Sequence, residues 1–137
     1  MSNNPLPYDV GVLAMVNTWT ALANGGFLKI YTGAQPSLNG SVTGTLLVTC
    51  NLSATAFQNA VASAGIVSAA ANVISVGVAV ATGTAGYHVI LKSDNSTVLV
   101  TGSCGVGSNF DLQMTQTAIT FGGTVQVASY SVSMAEA

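Results

Sequence analysis

From Ile30 to Leu91 the chain carries no formally charged residue, and this stretch of 62 residues restricts the kinds of protein it can form. Only 4% of the 137 residues are charged, which is about one sixth of the fraction usual in soluble domains. The surface must therefore consist of Ser, Thr, Asn, Gln, Gly and Ala, with little charge repulsion to oppose contact between chains. Uncharged residues suit the desolvated centre of an interface, so we expect an assembly subunit rather than a monomer.

The same shortage of charge excludes several classes of function. Two basic residues cannot neutralise a run of phosphates, so we expect no binding to nucleic acid and no docking on an anionic membrane. The stretch Ala60–Gly83 is apolar enough to be considered as a membrane helix. Polar residues interrupt it, and Val76, Val78 and Val80 alternate at the strand period, which favours strands.

The first nine residues, MSNNPLPYD, lack the basic residues and apolar run of a signal peptide. We therefore expect synthesis in the cytoplasm without secretion by a signal peptide. Cys50 and Cys104 are then expected to be buried free thiols that pack as small apolar residues. A disulfide between them would require an extracellular protein.

The N-terminal part is expected to contain an extended arm and then a short helix. Pro5 and Pro7 prevent regular pairing in Met1–Tyr8, which is therefore predicted to be the arm. Asp9 is suited to cap a helix over Val10–Ala23, and Asn24-Gly25-Gly26 would end it. The alternative for Val10–Ala23 is a strand that turns at Asn24-Gly25.

The rest of the chain is predicted to be all-β, a single domain over residues 9–137. About eight short strands with regular turn signals indicate an antiparallel β-sandwich or jelly-roll-like fold. A turn is expected at Ser93–Ser96, and a change of parity near Ala128-Ser129 indicates a β-bulge or a change of sheet. The expected strands are Phe27–Thr32, Thr45–Leu52, Ile66–Ala70, Val73–Ala81, Tyr87–Lys92, Thr97–Gly102, Phe110–Met114, Ala118–Phe121 and a last strand through Val125–Met134.

The sequence offers little from which to build a catalytic or metal site. A triad would need His88 as its base, with Asp94 folded back to orient it, and we expect His88 at the surface or in an interface. One His and two separated Cys cannot complete a zinc site within one chain. The glycine-rich stretch Gly102–Gly107 lacks a phosphate-binding lysine and is interpreted as a flexible or bulged connection. We therefore expect no enzyme activity, metal, cofactor or small-molecule substrate.

Several loop and turn motifs follow one another along most of the chain. They are GGFLKIYTGAQP at Gly25–Pro36, GTLL at Gly44–Leu47, SATAF at Ser53–Phe57, KSDN at Lys92–Asn95 and GGTVQV at Gly122–Val127. In these motifs and in their order the chain resembles a family of small structural proteins of tailed-phage virions. It departs from the family at Asn95, where glycine is commoner, and in the apolar character of Val10–Ala23.

This resemblance implies a structural protein of the virion with no catalytic residues to carry over. We interpret the chain as a capsid decoration, or cement, protein on the outer capsid surface, where it would stabilise the lattice of the major capsid protein. Self-association is expected, with a trimer at the capsid three-fold axes favoured. The arm residues Pro5, Leu6, Pro7 and Tyr8 are the expected lattice contact.

Two other functions remain open on the sequence. A component of the tail or neck would need to form rings, for which the loop Gly33–Gly44 could provide stacking contacts. A carbohydrate-binding adhesive module at a particle tip would need exposed aromatic residues, such as Trp19 or Tyr31. In the latter case a lone aromatic residue in a helix or strand is more often part of the core.

Overall fold

A computed structural model describes residues 8–107 and 109–135 as one helix followed by short strands. The arm residues Met1–Pro7 lie outside the described residues. The elements are α1 (Asp9–Ala21), β1 (Phe27–Tyr31), β2 (Leu46–Asn51), β3 (Val61–Ser63), β4 (Ile66–Ala70), β5 (Gly77–Val78), β6 (Gly83–Thr84), β7 (Tyr87–Leu91), β8 (Val98–Gly105), β9 (Leu112–Met114), β10 (Ala118–Ile119), β11 (Thr124–Val125) and β12 (Val127–Ala135).

The N-terminal element is the predicted helix and not the alternative strand. The cap is one residue earlier than expected, because Tyr8 is extended and its carbonyl accepts the backbone N–H groups of Gly11 and Val12. Asp9 instead lies in the first turn, where a negative charge interacts favourably with the helix dipole. The helix ends before a turn in which Gly25 has a φ of +68°, a conformation that glycine adopts without strain.

Eight strands form one sheet in the order β2-β1-β7-β8-β9-β12-β4-β3. Neighbouring strands are antiparallel except β8 and β9, which pair in parallel at Cys104 and Leu112. The fold is therefore all-β and sandwich-like, as predicted, with one parallel pair in a mostly antiparallel sheet.

Beyond the pairing of β4 with β12, the same two parts of the chain form two short antiparallel strand pairs, β5 with β11 and β6 with β10. This part of the chain also bonds to the edge strand β2, since Val80 N–H donates to the Leu47 carbonyl and Ser75 N–H to the Asn51 carbonyl. Strand β2 is thus covered, and the sheet folds back around the main hydrophobic core. The strand expected at Val73–Ala81 is regular only at Gly77–Val78.

Strand β7 is buried on both faces, which explains its unbroken run of large residues. His88 and Ile90 face the same way as Leu28 and Ile30 of β1, with which they pair. The opposite face carries Tyr87, Val89 and Leu91, which form a smaller cluster with Phe27, Tyr31 and Val42.

Three local interpretations have a clear outcome. The bulge expected near Ala128-Ser129 is confirmed by a register shift between Val127 and Ser129. The turn after β7 is confirmed too, with Asn95 at φ +60° and an Asp94 carboxylate oxygen accepting the N–H groups of Ser96 and Thr97. The interpretation of Gly102–Gly107 as a connection is wrong, because β8 continues to Gly105.

Candidate functional site

The expected lattice contact is described only at its last residue. Pro5, Leu6 and Pro7 lie outside the described residues, whereas Tyr8 is 85% exposed. The backbone of Tyr8 begins helix α1 and its side chain faces solvent, so this residue is accessible to a partner.

The surface position expected for His88 is wrong, because its side chain is fully buried. Strand β7 turns it into the core, where its Nε2 lies 2.9 Å from the hydroxyl oxygen of Tyr130 on β12. Its Nδ1 lies 3.2 Å from the Ser103 carbonyl oxygen on β8. The two rings meet edge to face, with centroids 4.9 Å apart.

The partners of His88 determine its tautomer. A carbonyl oxygen only accepts, so Nδ1 carries the proton and donates to Ser103, while Nε2 accepts from the Tyr130 hydroxyl. Both ring nitrogens are therefore satisfied when the imidazole is neutral. Burial lowers the pKa of His88 to about 4, against the opposing effects of the Ser103 carbonyl and the Asp111 carboxylate.

Cys104 and Asp111 complete the surroundings of His88. The Cys104 sulfur lies 3.8 Å from Nδ1, and burial raises the pKa of this thiol to about 12. Burial also raises the pKa of Tyr130. Asp111 is exposed and accepts the Ser103 N–H and hydroxyl, at 3.0 and 3.2 Å from its Oδ2. The Asp111 carboxylate, which lies near the imidazole, is thus at the exposed edge of the core.

Glycine at position 102 makes room for the imidazole. Gly102 pairs with His88 across β7 and β8, and a Cβ built on it would lie 2.6 Å from the His88 Cε1 atom. A side chain at this position would displace the ring. Gly102 therefore allows the His88 ring to pack closely against β8.

We call His88, Tyr130 and Cys104 the His88 cluster, and its buried position stabilises a neutral imidazole and a protonated thiol inside the core. A reactive Cys–His pair works through a thiolate, which the raised pKa of Cys104 opposes. Asp94, the acid considered for a triad, is occupied in the turn after β7 by Ser96 and Thr97. No group of three His, Cys, Asp or Glu side chains that could hold a metal occurs within residues 8–107 and 109–135.

The partnership of His88 and Tyr130 was missed in the sequence, although a signal for it was present. His88 has the same strand parity as Ile90, and Tyr130 the same parity as Val132, which places both polar groups on inward-facing positions. Recognising the pair would have required knowing that β7 and β12 face each other across the core.

The two predicted thiols and the two aromatic residues are located as follows. Cys50 and Cys104 are both buried and free, as expected. Trp19 is half-buried against the core, and Tyr31 stacks on Tyr87 with ring centroids 5.5 Å apart. Neither aromatic residue stands free on the described surface as a sugar-binding platform would require.

The described surface combines shallow, uncharged clefts with exposed apolar side chains. One cleft of about 340 Å³ lies at the end of the pairing between β4 and β12. Asn72, Gln126 and Tyr130 are among its lining residues. Val76, Val78 and Val80, which we call the valine ribbon, are 52%, 59% and 56% exposed. None of the helices in the described part of the chain is long and apolar enough to cross a membrane.

Comparison with protein-family models, with curated proteins and with solved structures finds nothing that matches this chain.

Proposed function

We propose that the chain is a non-enzymatic structural protein of a tailed-phage virion, and specifically a capsid decoration protein on the outer surface of the head. The observation that carries this proposal is the shortage of charge on a well-formed β-sandwich. In the described part of the chain the charged residues are Asp9, Lys29, Lys92, Asp94 and Asp111. The remaining surface is suited to lasting contact with protein.

The proposed role is consistent with the physical demands on a capsid. A small rigid domain that bridges neighbouring lattice subunits stabilises them through buried area, and many copies multiply a modest contact through avidity. A contact with few ion pairs also changes little with salt, because there is little charge for the ions to screen.

The His88 cluster supports the non-enzymatic part of the proposal. Its imidazole is neutral and enclosed, its two nitrogens are already bonded, and its neighbouring thiol has a raised pKa. Acid–base catalysis requires a titratable group within reach of a substrate, and the His88 imidazole is fully buried.

The proposal is tested by the copy number and location of the chain in purified particles of the phage that encodes it. Quantitative mass spectrometry and antibody labelling in electron microscopy should find hundreds of copies on the head. A copy number that is a multiple of six along a tube would instead assign the chain to the tail. Absence from the particles would reject the virion function altogether.

A further inference from the structure

The outward face of the valine ribbon differs in composition from the outward face of β12. On β12 the outward positions are Ser129, Ser131 and Ser133, all exposed. In the ribbon the corresponding outward positions are valines, each more than half exposed. Other strands also expose apolar side chains, such as Val61 on β3 and Val98 on β8, but the valine ribbon exposes three valines at successive outward positions.

Packing does explain why these valines cannot face inward. Gly77 and Ala79, which alternate with them, are both buried, and Gly77 lies against β2. A Cβ built on Gly77 would lie 2.6 Å from the Val48 Cγ2 atom and 2.7 Å from the Thr49 carbonyl oxygen. A slip by one residue would drive the valines into this space, so the outward direction of the ribbon is fixed.

The surroundings of the ribbon are also uncharged. Val78 pairs with Thr124, and the neighbouring Phe121, whose N–H donates to the Thr82 hydroxyl, is 70% exposed. Neither of the two chain segments that meet here, 73–84 and 115–127, contains a charged residue. The three valines and Phe121 thus form an exposed apolar strip in an uncharged part of the surface.

The absence of charge restricts what can cover this strip. A partner that placed a Lys or Asp against it would lose the hydration of that charge and find no opposite charge in return. The matching surface must therefore be uncharged and shaped to receive a row of β-branched side chains. The ribbon of a second copy of this chain meets both conditions, and two sheet faces pack well in this manner.

We infer that the valine ribbon is a self-association surface, on which two copies of the chain pair about a two-fold axis that passes near Val78. This inference rests on the proposed role as an assembly subunit and adds to it the surface and the partner. The pairing buries the same patch on both copies. A two-fold contact closes with two copies, so it favours a dimer over the trimer expected from the symmetry of a capsid.

The first test compares oligomeric state in variants that keep the shape of the side chain. In the triple variant Val76→Thr/Val78→Thr/Val80→Thr the β-branched shape is retained and only the apolar surface is lost. A matched control, Val61→Thr/Val98→Thr, changes two exposed valines on β3 and β8. By sedimentation equilibrium the wild-type chain and the control should be dimers, and the triple variant should dissociate at least ~10-fold more readily.

The second test uses a cross-link at the centre of the ribbon. Because Cys50 and Cys104 are buried, Val78→Cys adds an accessible thiol. Mild oxidation should yield a covalent dimer of Val78→Cys and none of the control Val61→Cys. Failure of Val78→Cys to cross-link at concentrations where the wild-type chain is dimeric would overturn the two-fold contact.

Other outcomes separate this inference from the proposed function. A wild-type chain that is monomeric or trimeric in solution yet occupies phage heads overturns the ribbon pairing and leaves the proposed function. If the triple variant then loses its place on the head, the partner of the ribbon is the lattice protein. A ribbon-dependent dimer that is absent from particles overturns the proposed function and leaves the self-association surface.

Discussion

The Nε2 atom of His88 lies 2.9 Å from the hydroxyl oxygen of Tyr130, a residue 42 positions further along the chain. This hydrogen bond joins β7 to β12 across the core, two strands that are not neighbours in the sheet. Both side chains are buried, and the strength of the bond depends on the protonation of one imidazole.

The first prediction concerns acid stability. The pKa of His88 is about 4 in the folded chain and about 6.5 in the unfolded chain, so the unfolded chain binds more protons between these values. Stability is therefore full above pH 6.5 and is lost as the pH falls towards 4, by about 3 kcal/mol between pH 7.5 and pH 4. Urea denaturation at several pH values measures this loss.

A His88→Gln variant provides the control for acid stability. It lacks the titrating imidazole, so its stability should be lower at pH 7.5 and should change less between pH 7.5 and pH 4. Asp94, the pKa of which is lowered to about 2 by its bonds to Thr97 and Ser96, stays ionised over this range in both proteins. Equal slopes for the two proteins would contradict the assigned role of His88.

The second prediction concerns the Tyr130 hydroxyl. In Tyr130→Phe the His88 Nε2 atom loses its donor and stays buried, which should cost about 1–3 kcal/mol of unfolding free energy. Tyr8→Phe makes the same chemical change at an exposed position and should alter stability by less than about 0.5 kcal/mol. Similar losses in both variants, measured by urea denaturation, would argue against the buried hydrogen bond.

The third prediction concerns the space that glycine leaves for the imidazole. Gly102→Ala should lower the unfolding free energy by about 1–3 kcal/mol, because the new methyl group overlaps the His88 ring. Gly11→Ala, in the helix, meets no atom within 4 Å and should be neutral or slightly stabilising. The cost of Gly102→Ala should shrink in a His88→Ala background, and an unchanged cost there would place the clash elsewhere.

The fourth prediction concerns the two thiols. Cys50 and Cys104 are buried, and burial raises the pKa of both, so neither should react with a thiol reagent in the folded chain. Both should react after denaturation. The accessible thiol of Val61→Cys on β3 serves as the positive control, and rapid labelling of the native wild-type chain would show that the core opens near Cys50 or Cys104.

The fifth prediction concerns the N-terminal arm. Removal of residues 1–7 should abolish binding to the capsid lattice and leave the fold intact, because the Tyr8 carbonyl that begins α1 is retained. Binding to undecorated heads and circular dichroism measure the two effects. A matched variant, Pro5→Ala/Pro7→Ala, keeps the length of the arm. Full occupancy of the heads by the truncated chain would remove the arm from the lattice contact.

Much of the local structure could be read from single segments. Strand β4 has the limits that we expected, and the turn at Asp94 has the expected position. Both depend on residues close together in the sequence, namely alternating side chains in the strand and turn-forming residues in the loop. The bulge in β12 was visible as a change of parity. The limits of β5 were not, since Gly77 and Val78 are regular only where β11 lies beside them.

The sequence alone determined that the chain is a β protein with little charge, because strand periodicity and the charged residues are properties of the chain itself. Only the tertiary structure decided where the uncharged side chains would lie. It buried His88 against Tyr130 and turned Val76, Val78 and Val80 outward, since each direction depends on a strand distant in sequence. The surface of the protein follows from which strands pair, and that pairing is a property of the whole chain.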